Sequence, residues 1–76
     1  MRYTSIRKAW LRTRTGHFIG PREVEVDGAT ATDLETGARL RPTVIHESGP
    51  QDVPCAVWAD CNHVLVYVTR GCEVTR

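Results

Sequence analysis

The chain has 76 residues, of which 41% are apolar and 25% are charged, and its formal net charge is +1. This length allows one domain, residues 1–76, and the apolar content argues against wholesale disorder. The sequence has no apolar run of about 18 residues, so we expect neither a membrane span nor a membrane partner. Its three cysteines are an odd number, which fits poorly with the disulfide framework of a secreted miniprotein. We therefore expect a cytoplasmic protein with free thiols.

Charge is distributed unevenly along the chain. Residues 1–22 carry six basic side chains and no acid, which gives +6, whereas residues 23–76 carry four arginines and nine acids, which gives −5. Such asymmetry is informative about binding partners rather than about fold. We treat the domain as a basic N-terminal segment followed by an acidic, β-rich remainder.

The first element lies within YTSIRKAWLRTRTG, residues 3–16. As a helix it would begin after Ser5 and end at Gly16, with arginines in the last turn where they suit the helix dipole. Three threonines and a short length weaken a helix. We predict a strand here and keep a short N-terminal helix as the alternative.

A second strand is predicted at residues 23–27, after a break at Gly20-Pro21. Val24 and Val26 alternate with polar residues, which is the pattern of a half-buried strand. The Asp27-Gly28 pair that follows is a turn signal.

A hairpin is predicted within ATATDLETGARLRPTVI, residues 29–45. A three-residue turn at residues 35–37, with Gly37 in the left-handed position, would place Asp33 opposite Arg39 as an ion pair. Pro42 donates no ladder hydrogen bond, so the second strand is expected to be an edge or to bend there.

The next segment, HESGPQDVP at residues 46–54, is expected to be an exposed loop. A second hairpin follows, with Cys61-Asn62 as a two-residue turn. That turn would pair Asp60 with His63 and Cys55 with Val68. Both faces of this hairpin are apolar, so we predict that it forms the core.

The cysteines and histidine of the second hairpin are candidate zinc ligands by residue type. Their spacing, C-x5-C-x-H-x8-C, differs from that of the familiar zinc clips, and Cys55 and Cys61 would lie roughly 20 Å apart along a strand. A Cys55–Cys72 disulfide would need the chain to turn back at Gly71. We favour a buried, apolar role for Cys55 and ordinary thiols at Cys61 and Cys72, with no metal and no cofactor.

No catalytic motif is present in the sequence: there is no glycine-rich phosphate loop, no HExxH and no GxSxG. Cys61 and His63 lie close together, but no third group would orient them. We expect a protein that is not an enzyme.

The basic segment interleaves cations with aromatic residues, a combination that nucleic-acid surfaces use for phosphates and bases. The candidate nucleic-acid-binding residues are Arg7, Lys8, Trp10, Arg12 and Arg14.

Protein binding is the competing hypothesis. The basic segment could dock on an acidic partner, or the acidic strands could occupy a groove meant for nucleic acid. An exposed edge strand, near Pro42 or at residues 23–27, could pair with a partner or with a second copy to give a homodimer. The candidate protein-binding residues are Glu23, Glu25, Asp27, Asp33 and Glu35.

We predict a mostly β domain, a small antiparallel sheet or half-closed barrel of about five strands similar to SH3-type and OB-type barrels. The expected function is a non-catalytic binding protein, a regulator or inhibitor that docks on a protein or nucleoprotein machine that processes nucleic acid. In size and charge it is similar to phage-encoded inhibitors, anti-CRISPR proteins among them. Direct binding of nucleic acid is the alternative.

Overall fold

The computed structural model describes residues 4–70 and the backbone of residues 74–75. Within these residues the chain forms strands and one short 3₁₀ helix, Pro50–Asp52. The strands are β1 (Ser5–Arg12), β2 (Phe18–Asp27), β3 (Thr30–Asp33), β4 (Arg39–Ser48), β5 (Pro54–Ala59), β6 (Leu65–Thr69) and β7 (Val74–Thr75). No helix among the described residues has the length and apolar character needed to cross a bilayer.

The strands form a closed antiparallel ring. Each of β1 to β5 pairs with the next strand in sequence, and β1 also pairs with β6. β7 extends the pairing of β1 beyond the end of β6. The prediction of a mostly β, antiparallel, barrel-like domain is confirmed, with six strands in the ring where about five were expected.

The N-terminal segment is a strand, and the alternative of a short helix is wrong. Ala9 pairs with Arg22 of β2 on one side and with Val68 of β6 on the other, and its side chain is fully buried. Hydrogen bonding along both edges of the strand, together with this burial, outweighs the weak preference of so short a segment for a helix.

The main core lies inside the barrel, because all six strands of the ring contribute to it. Val24 and Val26 of β2 are both buried in it, as the alternating pattern predicted. Trp58 is its largest member. The buried residues of this inner cluster are Ala9, Val24, Val26, Ala31, Leu40, Trp58, Val66 and Val68.

A second, outer cluster covers the outside of β5, β6 and β1. Cys55, Val57 and Tyr67 are its buried members, and partly buried side chains pack around them: Trp10, Phe18, Val53 and Leu65. The β5–β6 hairpin is thus buried on both faces, and the prediction that it forms the core is confirmed.

The register of the β5–β6 hairpin differs by one residue from the prediction. Cys55 pairs with Thr69 rather than with Val68. The turn has three residues, 61–63, and His63 adopts a positive φ of 64°. Asp60 stabilises this turn because its Oδ1 accepts hydrogen bonds from the backbone N–H groups of Asn62 and Val64, at 2.8 and 2.9 Å.

The predicted ion pair between Asp33 and Arg39 does not form. Arg39 lies opposite Thr32, one residue earlier, and the backbone N–H of Asp33 donates to the carbonyl of Ala38. An Asp33 carboxylate oxygen accepts from the Glu35 backbone N–H at 2.9 Å, which lengthens the turn beyond the three residues expected.

The expected loop at residues 46–54 is partly strand. β4 continues to Ser48, and its end pairs with the start of β5. The expected irregularity near Pro42 is confirmed, since the β4–β5 register shifts between Pro42 and His46. The Thr43 hydroxyl donates to the Val57 carbonyl across this bulge, and Val44 projects from it with 94% of its surface exposed.

The predicted break at Gly20-Pro21 is wrong, because β2 runs through both residues as one strand. The β1–β2 register shifts nearby, between Ala9 and Leu11. This β-bulge accommodates Gly20 and Pro21 without breaking the ring of strands.

Candidate functional site: the mouth of the barrel

One end of the barrel opens into a groove of about 580 Å³, here called the mouth groove. It is lined by residues 11–14, Ile19 and residues 62–65. Leu11 packs against the inner cluster and pairs with Ile19, so the groove begins where the inner cluster ends. Its walls are the β1–β2 connection and the tip of the β5–β6 hairpin.

The floor of the mouth groove is aliphatic, and its rim is polar and basic. The aliphatic residues of the lining, here called its floor, are Leu11, Ile19, Val64 and Leu65. Arg12 and Arg14 lie on one wall, and Asn62 and His63 lie on the other. None of the described residues that line the groove is acidic. An acidic ligand with an apolar side chain would therefore find complementary groups in it.

Hydrogen bonds within the β1–β2 connection fix the wall that carries Arg14. The Thr13 N–H donates to the His17 carbonyl at 2.8 Å, and the Gly16 N–H donates to the Thr13 carbonyl at 3.0 Å. A chain of side-chain contacts joins Thr13, Thr15 and His17. Gly16 supplies the positive φ, 87°, that the turn requires.

Arg12 is held at the groove by the outer cluster. Its Nη1 donates to the Tyr67 hydroxyl at 3.0 Å and lies 3.9 Å from Glu47 Oε1. The Tyr67 hydroxyl in turn donates to Glu47. The pKa of Tyr67 is raised, first by burial and then by its hydrogen bond to Glu47. The Arg12 side chain remains 42% exposed, so part of it is open to a ligand.

The structure brings Arg12 and Arg14 together and places the other predicted nucleic-acid-binding residues elsewhere. Arg7 donates from Nε to the Ser5 hydroxyl at 3.0 Å and from Nη1 to the Thr69 carbonyl, away from the mouth. Lys8 is exposed on the outside, opposite Glu23 in the register.

Trp10 is also absent from the mouth groove. It packs in the outer cluster, where Gly20 and Gly49 approach it closely enough that a Cβ on either would touch its ring. Its placement follows from strand alternation, because Trp10 faces outward when Ala9 and Leu11 face inward.

Two acids of the predicted acidic surface, Asp33 and Glu35, share one basic partner, Arg22. Asp33 is 3% exposed, and its Oδ2 lies 3.0 Å from Nη1 of Arg22. Arg22 also binds the exposed carboxylate of Glu35.

The other three predicted protein-binding acids lie on strand β2. Glu23 faces Lys8 across β1–β2, and Glu25 lies between Ile6 and Thr32 in the register. Asp27 ends the strand opposite Thr30. Both edges of residues 23–27 are paired, so the idea that this segment is a free edge strand is wrong.

The two described cysteines, Cys55 and Cys61, are placed as ordinary residues. Cys55 is 1% exposed, and burial raises the pKa of its thiol, against a smaller opposite effect of a hydrogen bond with the Gly49 backbone. Cys61 is exposed at the hairpin tip. Cys72, and with it the Cys55–Cys72 pairing, lies outside the described residues. In residues 4–70 no three histidine, cysteine or acidic side chains gather as metal ligands would.

Sequence reasoning missed the floor of the groove and its second wall. Ile19 and Val64 are 55% and 37% exposed, and each closely follows a turn, the first at residues 13–17 and the second at residues 61–63. Exposed aliphatic side chains flanking two turns were the available signal. Comparison with known proteins adds no assignment: the chain matches no family model, no curated protein and no solved structure.

Proposed function

We propose that this protein is a non-catalytic binding protein that captures an acidic segment of a macromolecular partner in the mouth groove. One observation carries the proposal. In the described part of the chain, the groove joins two arginines and a histidine to exposed aliphatic side chains without an acid in its lining. Elsewhere, Glu35 and Asp33 pair with Arg22, and Lys8 faces Glu23.

Binding rather than chemistry is supported by the side chains that line the groove. Its polar groups are guanidinium, imidazole, amide and hydroxyl groups, and the carboxylate nearest the hairpin tip, that of Asp60, is used by backbone N–H groups. These groups orient and neutralise an anion well. The hypothesis that the partner belongs to a nucleic-acid-processing machine, with this protein as its regulator or inhibitor, stays a prediction, and so does direct nucleic-acid binding.

Charge reversal at Arg14 tests the proposal. Arg14 lies at the groove, whereas the exposed Arg70 follows the other end of β6 and offers a matched control. Arg14→Glu is expected to weaken binding of short labelled polyanions by about tenfold at low salt, while Arg70→Glu, with the same change in net charge, changes it little.

Fluorescence anisotropy measures both variants against glutamate peptides and single-stranded oligonucleotides. Binding that weakens with added salt and with Arg14→Glu alone supports the proposal. Equal losses in the two variants would mean that net charge, and not the groove, attracts the anion. Flat titrations with every probe would refute a polyanion-binding groove.

A further inference from the structure

We infer that the segment bound in the mouth groove is an acidic peptide that carries an aliphatic side chain, rather than a nucleic acid. This inference rests on the proposed function and names the class of its partner. It follows from the composition of the floor, from the position of the aromatic residues and from the ion pair that Arg12 forms with Glu47.

The floor suits an aliphatic side chain. Ile19 and Val64 are 55% and 37% exposed, and Leu11 and Leu65 lie beside them. A partner side chain that covered these residues would remove apolar surface from water on both molecules, which favours binding. The volume of the groove, about 580 Å³, is in the range of clefts that enclose a small ligand, so a few residues of one segment fit.

The floor does not suit nucleobases. Bases bind to single-strand platforms chiefly by stacking on Phe, Tyr or Trp rings, and the described lining contains none of the three, the imidazole of His63 being its one aromatic ring. The nearby rings are engaged in the outer cluster. Phe18 packs edge-on against Tyr67, with 5.0 Å between ring centroids, and Tyr67 is 1% exposed.

The cations of the rim suit carboxylates. The Glu47 carboxylate lies outside the groove, and its Oε1 is 3.9 Å from Arg12 Nη1. The Arg12 guanidinium is therefore held in a position that a carboxylate can approach. Arg14 belongs to the β1–β2 connection and His63 to the tip of the β5–β6 hairpin. A peptide with acidic residues on both sides of an aliphatic one would reach both walls while its apolar side chain lies on the floor.

Two peptides and two oligonucleotides test this inference with the full chain. The first peptide is a short run of glutamates with one central leucine, and the second has serine in place of the leucine. Oligo-dT and oligo-U of similar charge complete the set. We expect the leucine peptide to bind about tenfold more tightly than the serine peptide.

Val64→Ser should remove most of the difference in affinity between the leucine peptide and the serine peptide. Arg14→Glu should weaken the binding of both peptides. Ile19→Ser, at a more exposed position, is the second variant if Val64→Ser fails to fold, as judged by circular dichroism. Equal affinity for the two peptides overturns the aliphatic contact. Binding of the oligonucleotides alone, sensitive to Arg14→Glu, overturns the inference and leaves the proposed function standing. Binding of no probe refutes the proposed function itself.

Discussion

Arg12 lies between a carboxylate of its own chain and the mouth groove. Glu47 and the Tyr67 hydroxyl hold the guanidinium by hydrogen bonding and charge, and the ring of Tyr67 lies 5.9 Å from it. This arrangement limits the freedom of a long side chain before any ligand arrives, so less conformational entropy is lost on binding. It also neutralises part of the charge, so Arg14 carries the more available cation.

The ionisation of Tyr67 reports on this arrangement. Burial is the main cause of its raised pKa and would persist in Glu47→Gln, whereas the hydrogen bond to a charged carboxylate would weaken and the smaller repulsion between that carboxylate and the phenolate would vanish. We expect the variant to lower the pKa of Tyr67 part of the way to its ordinary value. An alkaline titration of tyrosinate absorbance measures this in a Tyr3→Phe background, which leaves Tyr67 as the one tyrosine of the sequence.

The raised pKa of Tyr67 also makes the free energy of unfolding depend on pH. The Tyr67 pKa is higher in the folded chain than in the unfolded one, so its contribution to stability is full below the unfolded value of about 10 and is lost as the pH rises through the folded value. Glu47→Gln should make this alkaline loss smaller. Glu25→Gln, on strand β2, is the control, and an unchanged titration midpoint in Glu47→Gln would contradict the role given to Glu47.

At the scale of the elements, alternation predicted those strands that have one polar face. Val24 and Val26 identified the inner face of β2, and both are buried. The β5–β6 hairpin was recognised as core, but its register was not, because side chains on both faces are apolar and a slip of one residue leaves the burial pattern plausible. In the observed register the Asp60 carboxylate accepts hydrogen bonds from the turn backbone, a contact that hydrophobic alternation does not predict.

The strand residues 46–48 were missed for a different reason. His46, Glu47 and Ser48 are polar and exposed, so they carry no signal of burial, and the adjacent Gly49-Pro50 favours a loop. Their pairing with β5 depends on the position of that strand in the ring. Local sequence holds little information about such a contact.

The bulge between β1 and β2 depends on a glycine. A Cβ on Gly20 would lie 2.9 Å from the Ala9 carbonyl oxygen and 3.0 Å from Trp10, and its φ is +150°. Gly16 also has a positive φ but has open space around it. We expect Gly20→Ala to lower the free energy of unfolding by about 2–4 kcal/mol and Gly16→Ala by about 1 kcal/mol.

Urea unfolding followed by tryptophan fluorescence measures both variants. The difference between them reports the close approach to β1 together with the more extreme φ at Gly20, +150° against +87° at Gly16. Equal losses of stability would show that the backbone conformation alone, and not the contact with Ala9, requires glycine at position 20.

At the scale of the whole molecule, ring closure creates the mouth groove. Arg12 and Arg14 were recognisable from sequence as part of a basic segment, but His63 and Val64 come from the far end of the chain. They meet only because β1 pairs with β6, with Arg12 opposite Leu65. A groove built across such a long-range pairing could not be read from the sequence before the ring was known.

The ring is held least extensively between β3 and β4. Here the ladder consists of Ala31 with Leu40 and Thr32 with Arg39, whereas β5 and β6 pair along their whole length from Cys55 to Ala59. Regions with few ladder bonds open locally at lower free energy than the core does. Opening at this place would leave β3 attached to β2 and β4 attached to β5, and the β1–β6 pairing beneath the mouth groove would stay intact.

Amide hydrogen exchange followed by NMR tests this prediction. The amides of Ala31 and Leu40, which face each other across β3–β4, should exchange at least about tenfold faster than those of Val66 and Tyr67, because opening of β3–β4 does not require unfolding of the inner cluster. An exposed loop is not the explanation for Leu40, whose side chain is 2% exposed. Equal protection at the two places would mean that the barrel opens only as a unit, and the mouth groove would then share the stability of the entire ring.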